Sequence, residues 1–344
     1  MKVAVMTGIG KIEFQERDIP VPNANEVLVK LESVGVCGSD MHYYETGRIG
    51  DFVVDFPFVL GHECAGTVEK VGENVEHLKK GDRVALEAGK TCMECQLCRK
   101  GLYNLCPDVI FFATPPIDGV FQEYVAHEAA LCFKLPAHVS AEEGALVEPL
   151  AIGLHSAGKG NAQVGQIAVV FGAGCIGLVS VLALKARGVS QIYIVDSMDK
   201  RLDKALELGA NVAINFKKED AVEKIAELTA LDGVDLVIET SGSEEAANQA
   251  IDVCGKGATI VMVGYSQSGK MNLNMSVAIN KELSFESVFR YRHIYPVAIN
   301  AIAAESIDVK GLVSHTFRFD EIPEAMEKCI KNKNEIVKAV IKIG

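Results

Sequence analysis

The chain of 344 residues has room for two domains at roughly 100–200 residues each. Its 49% hydrophobic and 23% charged residues suit a large globular core. With 46 acidic against 34 basic residues, a formal charge of -12 and no basic run, it is expected to engage no nucleic acid and no anionic membrane surface.

The N-terminal MKVAVMTGIGKIEF has neither an apolar h-region nor a small-residue cleavage site, so no secretory signal is read there. No apolar stretch approaches the roughly 18 residues of a membrane helix, and a cytoplasmic location is the expectation. Residues 1–147 read as mostly β. EVLVKLESVGV (26–36), AGTVEKVG (65–72) and DRVALEAG (82–89) alternate, with Gly, Pro and Asn turns between them.

The first of these runs leads into Cys37 in GVCGSDMHYY, and VLGHECAG, with His62 and Glu63, leads into the second. Together with Glu148 in GALVEPLAIG they supply one thiolate, one imidazole and one or two carboxylates. That set suits a catalytic zinc, with a position left for water or substrate. Taken singly, each residue also fits an ordinary role: Cys37 a small buried side chain, His62 a core histidine, Glu63 and Glu148 surface acids or caps. His62 and Glu63 would face opposite ways on a straight strand, so sharing one metal requires a bend, which Gly61 permits.

Four of the ten cysteines, Cys92, Cys95, Cys98 and Cys106, crowd together as C-x2-C-x2-C-x7-C. In a reducing compartment such clustering points to metal before disulfides. Four thiolates close a tetrahedral shell, which selects zinc and leaves no open position. The site therefore reads as structural, folding a lobe (TCMECQLCRKGLYNLC) too polar to fold by burial alone. The alternative is four free or disulfide-paired thiols. FQEYVAHEAALCFKLP (121–136) follows.

From about residue 150 the rhythm changes. QIAVVF (166–171), QIYIVD (191–196), VDLVIET (234–240) and ATIVMVG (258–264) alternate with helical patterns at 175–187, 199–208, 218–230 and 244–253. Continuous apolar runs between helices are what a doubly covered parallel sheet requires. GAGCIG sets Gly172, Gly174 and Gly177 after a strand and at a helix start, where a pyrophosphate can sit on the helix N-terminus. Asp196 ends the next run, about 20 residues on, placed to bind the ribose hydroxyls of NAD and to repel the 2′-phosphate of NADP. The alternative is a glycine turn that packs a helix on the sheet, with Asp196 as a helix cap. LSFESVF (283–289) reads as a further strand, IPEAMEKCIK as a helix and the terminal IVKAVIKIG as a strand.

These segments together resemble the zinc-containing medium-chain dehydrogenases, and within them the sorbitol (polyol) dehydrogenase group. GVCGSD, GHECAG, GDRV, the four-cysteine lobe and GAGCIG match the general pattern in order. HYYETGRIGDFVV (42–54), YNLCPDVIFFATPPIDG (103–119), EEGALVEPLAIGLH (142–155) and SVFRY (287–291) match the narrower group. The resemblance spans nearly the whole chain. It implies an α/β protein: a GroES-like, β-rich catalytic domain at 1–148 completed by 288–344, and a doubly wound Rossmann domain at 149–287. It implies two zinc ions per chain, NAD as cofactor, a small polyol or ketose as substrate and a homotetramer. Cys37, His62 and Glu63 would hold the catalytic zinc, with Glu148 binding it directly or through water. Ser39 and His42 would pass the proton out. Tyr43, Glu148, Arg290 and Tyr291 would line the polyol pocket. Ile176, Asp196, Arg201, Val263, Gly264, Tyr265, Val288, Phe289 and Arg290 would contact NAD. Some animal members lack the lobe cysteines, whereas this chain has all four. The rival readings are a related alcohol or threonine dehydrogenase, or a non-catalytic relative.

Overall fold

The alternating run at residues 26–36 becomes the strand Glu26–Val36, the central strand of the first sheet in the computed structural model, which describes residues 1–266 and 269–344. Contacts divide the chain into two units. The first comprises Met1–Glu148, Tyr295–Glu305 and Val313–Gly344; the second comprises Pro149–Ile294 and Ser306–Leu312.

In the first unit Glu26–Val36 pairs antiparallel with Glu63–Val71 along one edge. Its other edge is divided: residues 26–30 take Tyr124–Glu128, and residues 33–36 take the C-terminal strand Ala339–Lys342. The end of the chain thus closes the sheet beside Val36, one residue before Cys37. Arg83–Leu86 continues the sheet beyond Glu63–Val71. Val27, Val29, Leu31 and Val34 are fully buried and pack with Met6, Phe58 and Phe121 in one core cluster. The hairpin Lys2–Gly8 with Lys11–Glu16 supplies Met6 to that core.

In the second unit the apolar runs form a parallel sheet. Its order among the described residues is Val212–Asn215, Gln191–Asp196, Ile167–Phe171, Val234–Glu239, Cys254–Met262, Ser284–Ser287. Numbered along the chain this is 3-2-1-4-5-6, the dinucleotide-binding order, in which ligands bind beyond the carboxyl ends of the strands where the order reverses. That point lies between Ile167–Phe171 and Val234–Glu239. The short strand Val212–Asn215 carried no expectation. The run expected at 258–264 starts earlier, at Cys254, and stops at Met262. Beyond it the amides of Val263 and Gly264 share one acceptor, the carbonyl of Glu239, at 2.8 and 3.1 Å. No helix among the described residues is long and apolar enough to cross a membrane.

Candidate active site and metal centres

Where Glu26–Val36 ends, Cys37 becomes the extended residue capping the helix Gly38–Thr46. Three residues on, Asp40 turns back. Its Oδ2 accepts the Cys37 amide at 3.0 Å and its Oδ1 accepts the Gly61 amide at 2.8 Å. The fully buried carboxylate thereby ties the helix start to the loop before Glu63–Val71. Gly61 sits at φ +90, and a Cβ there would stand 2.7 Å from the Phe121 ring, so the bend needs glycine on both counts. His62 and Glu63 follow the bend, and Glu63 pairs in register with Gly35. A Cβ on Gly35 would lie 1.9 Å from Glu63 Oε2, so the bare glycine opens the slot that the carboxylate fills.

The bend therefore brings the expected ligands together. One atom each from Cys37, His62 and Glu63 lies within 4.8 Å of the others. His62 Nδ1 faces Asp40 Oδ1 at 3.7 Å, which leaves the other ring nitrogen for a cation. Burial works against charge on His62, yet Asp40 and then Cys37 outweigh it and raise the imidazole pKa well above its usual range. Burial also disfavours charge on Asp40, but His62 and the two amides prevail and lower its pKa. This pocket attracts positive charge, as a site for a divalent cation must. A thiolate, an imidazole and a carboxylate in this arrangement fit zinc with an open position.

Lys338 completes the surroundings. Its ammonium pairs with Glu63 Oε2 and donates to the Val36 carbonyl at 3.1 Å, with both Lys338 and Glu63 buried. Glu148 is buried in the first turn of the helix Val147–Lys159, outside the group formed by Cys37, His62 and Glu63. Ser39 and His42 are partly exposed on Gly38–Thr46, whereas Tyr43 is buried with its ring 6.3 Å from that of Phe58. Sequence reasoning passed over Asp40 and Lys338. Asp40 had a signal, an acid three residues into a helix that starts at Cys37. Lys338 had a fainter one, a lysine inside an apolar terminal run.

The four lobe cysteines converge to within 4.8 Å of one another. The Sγ separations are 3.5 Å for Cys92–Cys106, and 4.0 Å for Cys92–Cys98 and Cys95–Cys106. These are far from disulfide lengths, and all four are free thiols. A tetrahedron with Zn–S of about 2.3 Å sets S···S at about 3.8 Å, close to what is seen. Backbone amides point at the sulfurs: that of Cys95 reaches Cys92 Sγ at 3.3 Å, and that of Cys98 reaches Cys95 Sγ at 3.4 Å. The amides of Glu94 and then Cys95 bring the Cys92 pKa down to about 7, toward the thiolate a metal needs. The lobe is fastened to the sheet where Tyr103 donates to Glu87 Oε1 at 2.8 Å. Burial lifts the Glu87 pKa to about 7 against that hydrogen bond.

In the second unit Gly172 adopts φ +94, Gly174 caps the helix Cys175–Ala186, and a Cβ on Gly177 would stand 1.8 Å from the Gly172 carbonyl. The glycine loop thus has the tight turn and close packing a pyrophosphate site needs. Asp196 accepts the Ala173 amide at 2.7 Å and those of Ser197 and Met198 at 2.7 and 3.0 Å, which aims its carboxylate at the loop. Ile176 is partly exposed at the helix start, and Arg201 Nη1 lies 4.0 Å from where a Gly174 Cβ would be. Thr240, unremarked in the sequence, donates to the Phe171 carbonyl at 2.8 Å and so joins the carboxyl ends of the two central strands. Beside it run Val263, Gly264 and the exposed Tyr265, with Gly264 so close that a Cβ would stand 2.1 Å from the Gly242 amide nitrogen. Val288 and Tyr291 are buried, and the Arg290 guanidinium sits 4.8 Å from the Phe289 ring, with Arg290 at φ +57. Residues 288–294 belong to this second unit.

Known proteins share this architecture. Residues 23–137 match the alcohol dehydrogenase GroES-like domain, and residues 175–304 match the zinc-binding dehydrogenase model. The sorbitol dehydrogenase of Bacillus subtilis is 40% identical over 341 residues, covering 99% of this chain and 97% of that protein. The human sorbitol dehydrogenase is 42% identical over 325 residues, 94% of this chain and 91% of that one. A solved Escherichia coli structure, described as an oxidoreductase/dehydrogenase of unknown specificity involved in membrane biogenesis, superposes with a TM-score of 0.96. It is 41% identical, covering 100% of this chain and 99% of that one.

Proposed function

The chain belongs to the zinc-binding dehydrogenase family with an alcohol dehydrogenase GroES-like domain, and from that premise we propose that it oxidises the C2 hydroxyl of a polyol to the ketose, using NAD. The observation that carries the reading is the convergence of Cys37, His62 and Glu63 in a chain so similar to sorbitol dehydrogenases. These three residues would hold the catalytic zinc, with Glu148 reaching it directly or through water. The four lobe cysteines would hold a second zinc.

When bound, zinc supplies Lewis acidity toward the substrate hydroxyl and the dinucleotide supplies the hydride acceptor. The protein's own groups do the rest. Asp40, facing Nδ1, fixes the orientation of the His62 ring. Ser39 takes up the hydroxyl proton and His42, partly exposed, hands it to solvent. Tyr43, Tyr291, Arg290 and Glu148 satisfy the remaining hydroxyls, which penalises an analogue that leaves them unpaired. Asp196 binds the adenosine ribose beside the glycine loop and disfavours a 2′-phosphate. Ile176, Arg201, Val263 to Tyr265 and Val288 to Arg290 line the rest of the dinucleotide site. By the same resemblance the protein is expected to work as a homotetramer, and the sequence itself carries the expectation of a cytoplasmic location.

The test is NADH absorbance with sorbitol, xylitol, iditol, galactitol and arabitol against simple primary alcohols, repeated with NADP. Sorbitol or xylitol with NAD should exceed the primary alcohols at least about tenfold in kcat/KM, a gap of about 1.4 kcal/mol. Equal turnover of ethanol, or of NADP, would refute the substrate or the cofactor assignment respectively.

A further inference from the structure

Lys338 lies where a lysine is costly. It is 2% exposed, and removing an ammonium from water costs several kcal/mol even when it is paired. A methionine would fill the same space without that cost. The fold nevertheless grips this residue. The Ser314 amide and hydroxyl donate to the Lys338 carbonyl at 3.0 and 3.1 Å, and the Lys338 amide reaches Ser314 Oγ at 3.3 Å. Ala339 then stands opposite Val36 in the sheet. The C-terminal strand so delivers the ammonium to the Val36 carbonyl and to the Glu63 carboxylate, one of the three candidate metal ligands.

The charges give this placement a purpose. A thiolate at Cys37 and the carboxylates of Glu63 and of Asp40, which faces His62, would outweigh a divalent cation, with His62 adding no charge. A centre with excess negative charge is a poor partner for a hydroxyl that must lose its proton. Lys338 returns one positive charge within contact of a ligand, and it holds one carboxylate oxygen against full donation.

We propose that Lys338 is a positioning residue that shares the Glu63 carboxylate with the bound cation and offsets the excess negative charge around it. This rests on the metal reading above. A residue that merely supports the fold would weaken metal binding when removed. Lys338 acts the other way: relieved of its repulsion, the cation is held more tightly while turnover falls.

The experiment is zinc titration of the full chain in competition with a fluorescent zinc chelator, with the lobe's share taken from Cys37→Ala. In Lys338→Met the Cys37 site should bind zinc about tenfold more tightly or better, since like charges at contact distance in a buried site repel strongly. In the same variant kcat should fall by more than KM changes. Lys338→Gln, which removes the charge but keeps a polar donor, should shift both readings the same way and stands in if the methionine variant fails to fold. Lys338→Arg, with its charge kept, should match the wild type. Unchanged or weaker zinc binding in the two neutral variants would overturn the proposal. No zinc at the Cys37 site of the wild type would overturn the metal reading itself.

Discussion

The two candidate metal groups of the first unit are built in opposite ways. The lobe takes all four ligands from one short segment, Cys92 to Cys106, and local amides orient them. The Cys37 group draws on a helix start, a glycine bend and a strand end, and is supported by Asp40 and by Lys338 from the far end of the chain. A local shell can hold its own fold together and needs little else. A distributed one depends on the finished sheet and can leave a coordination position open for chemistry.

Exchanging the damage between the two sites is the sharpest way to break this comparison. Cys37→Ala should leave a folded protein with turnover down about a thousandfold or more, because several kcal/mol of charge stabilisation leaves with the metal. Cys95→Ser should cost stability first, by several kcal/mol, since metal binding there is also folding energy. Circular dichroism and polyol turnover on both variants check this. If Cys37→Ala unfolded the protein while Cys95→Ser only slowed it, the roles would be reversed.

A smaller effect tests the support of the distributed site. Asp40→Asn keeps the shape but weakens the charge facing His62, and should lower zinc affinity at the Cys37 group about 10- to 100-fold, as losses of such partners do. Chelator competition measures it, and the lobe zinc should not respond.

The smallest effect concerns how the lobe is fastened. Burial raises the Glu87 pKa from 4.5 to about 7, so its protonated form favours the fold. That contribution is whole below about pH 4.5 and is lost as pH rises through about 7. His127, whose ring bonds the Glu87 carbonyl at 2.9 Å, runs the other way. Burial lowers its pKa to about 4, so its contribution is present above pH 6.5 and is lost as pH falls toward 4. Glu87→Gln should remove the first trend and leave the second. Urea unfolding at pH 5 and pH 8 should then show the variant gaining on the wild type at the higher pH; a constant difference would contradict the assignment.

The same contrast explains what the sequence could disclose. The lobe is legible from spacing because its geometry is local, and the parallel sheet is legible because buried strands between helices leave continuous apolar runs. Cys37, His62 and Glu63 could be grouped from the sequence as a ligand set, but only resemblance favoured that reading over ordinary roles, since spacing does not reveal that residues 37 and 62 meet where two strands pair. Asp40 looks like any helix cap until Gly61 is seen to donate to it. Lys338 carries only a faint signal until the last strand is seen beside Val36, because a lysine in an apolar run ordinarily points to water. Val212–Asn215 escaped notice because four residues are too few to show a period.

The most direct test of the two-site account is zinc content measured together with sorbitol or xylitol oxidation on one preparation of the wild type and one of Cys37→Ala. The account predicts two zinc ions per active wild-type chain, and one zinc with almost no turnover in the variant. A wild type fully active with zinc in the lobe alone would contradict it.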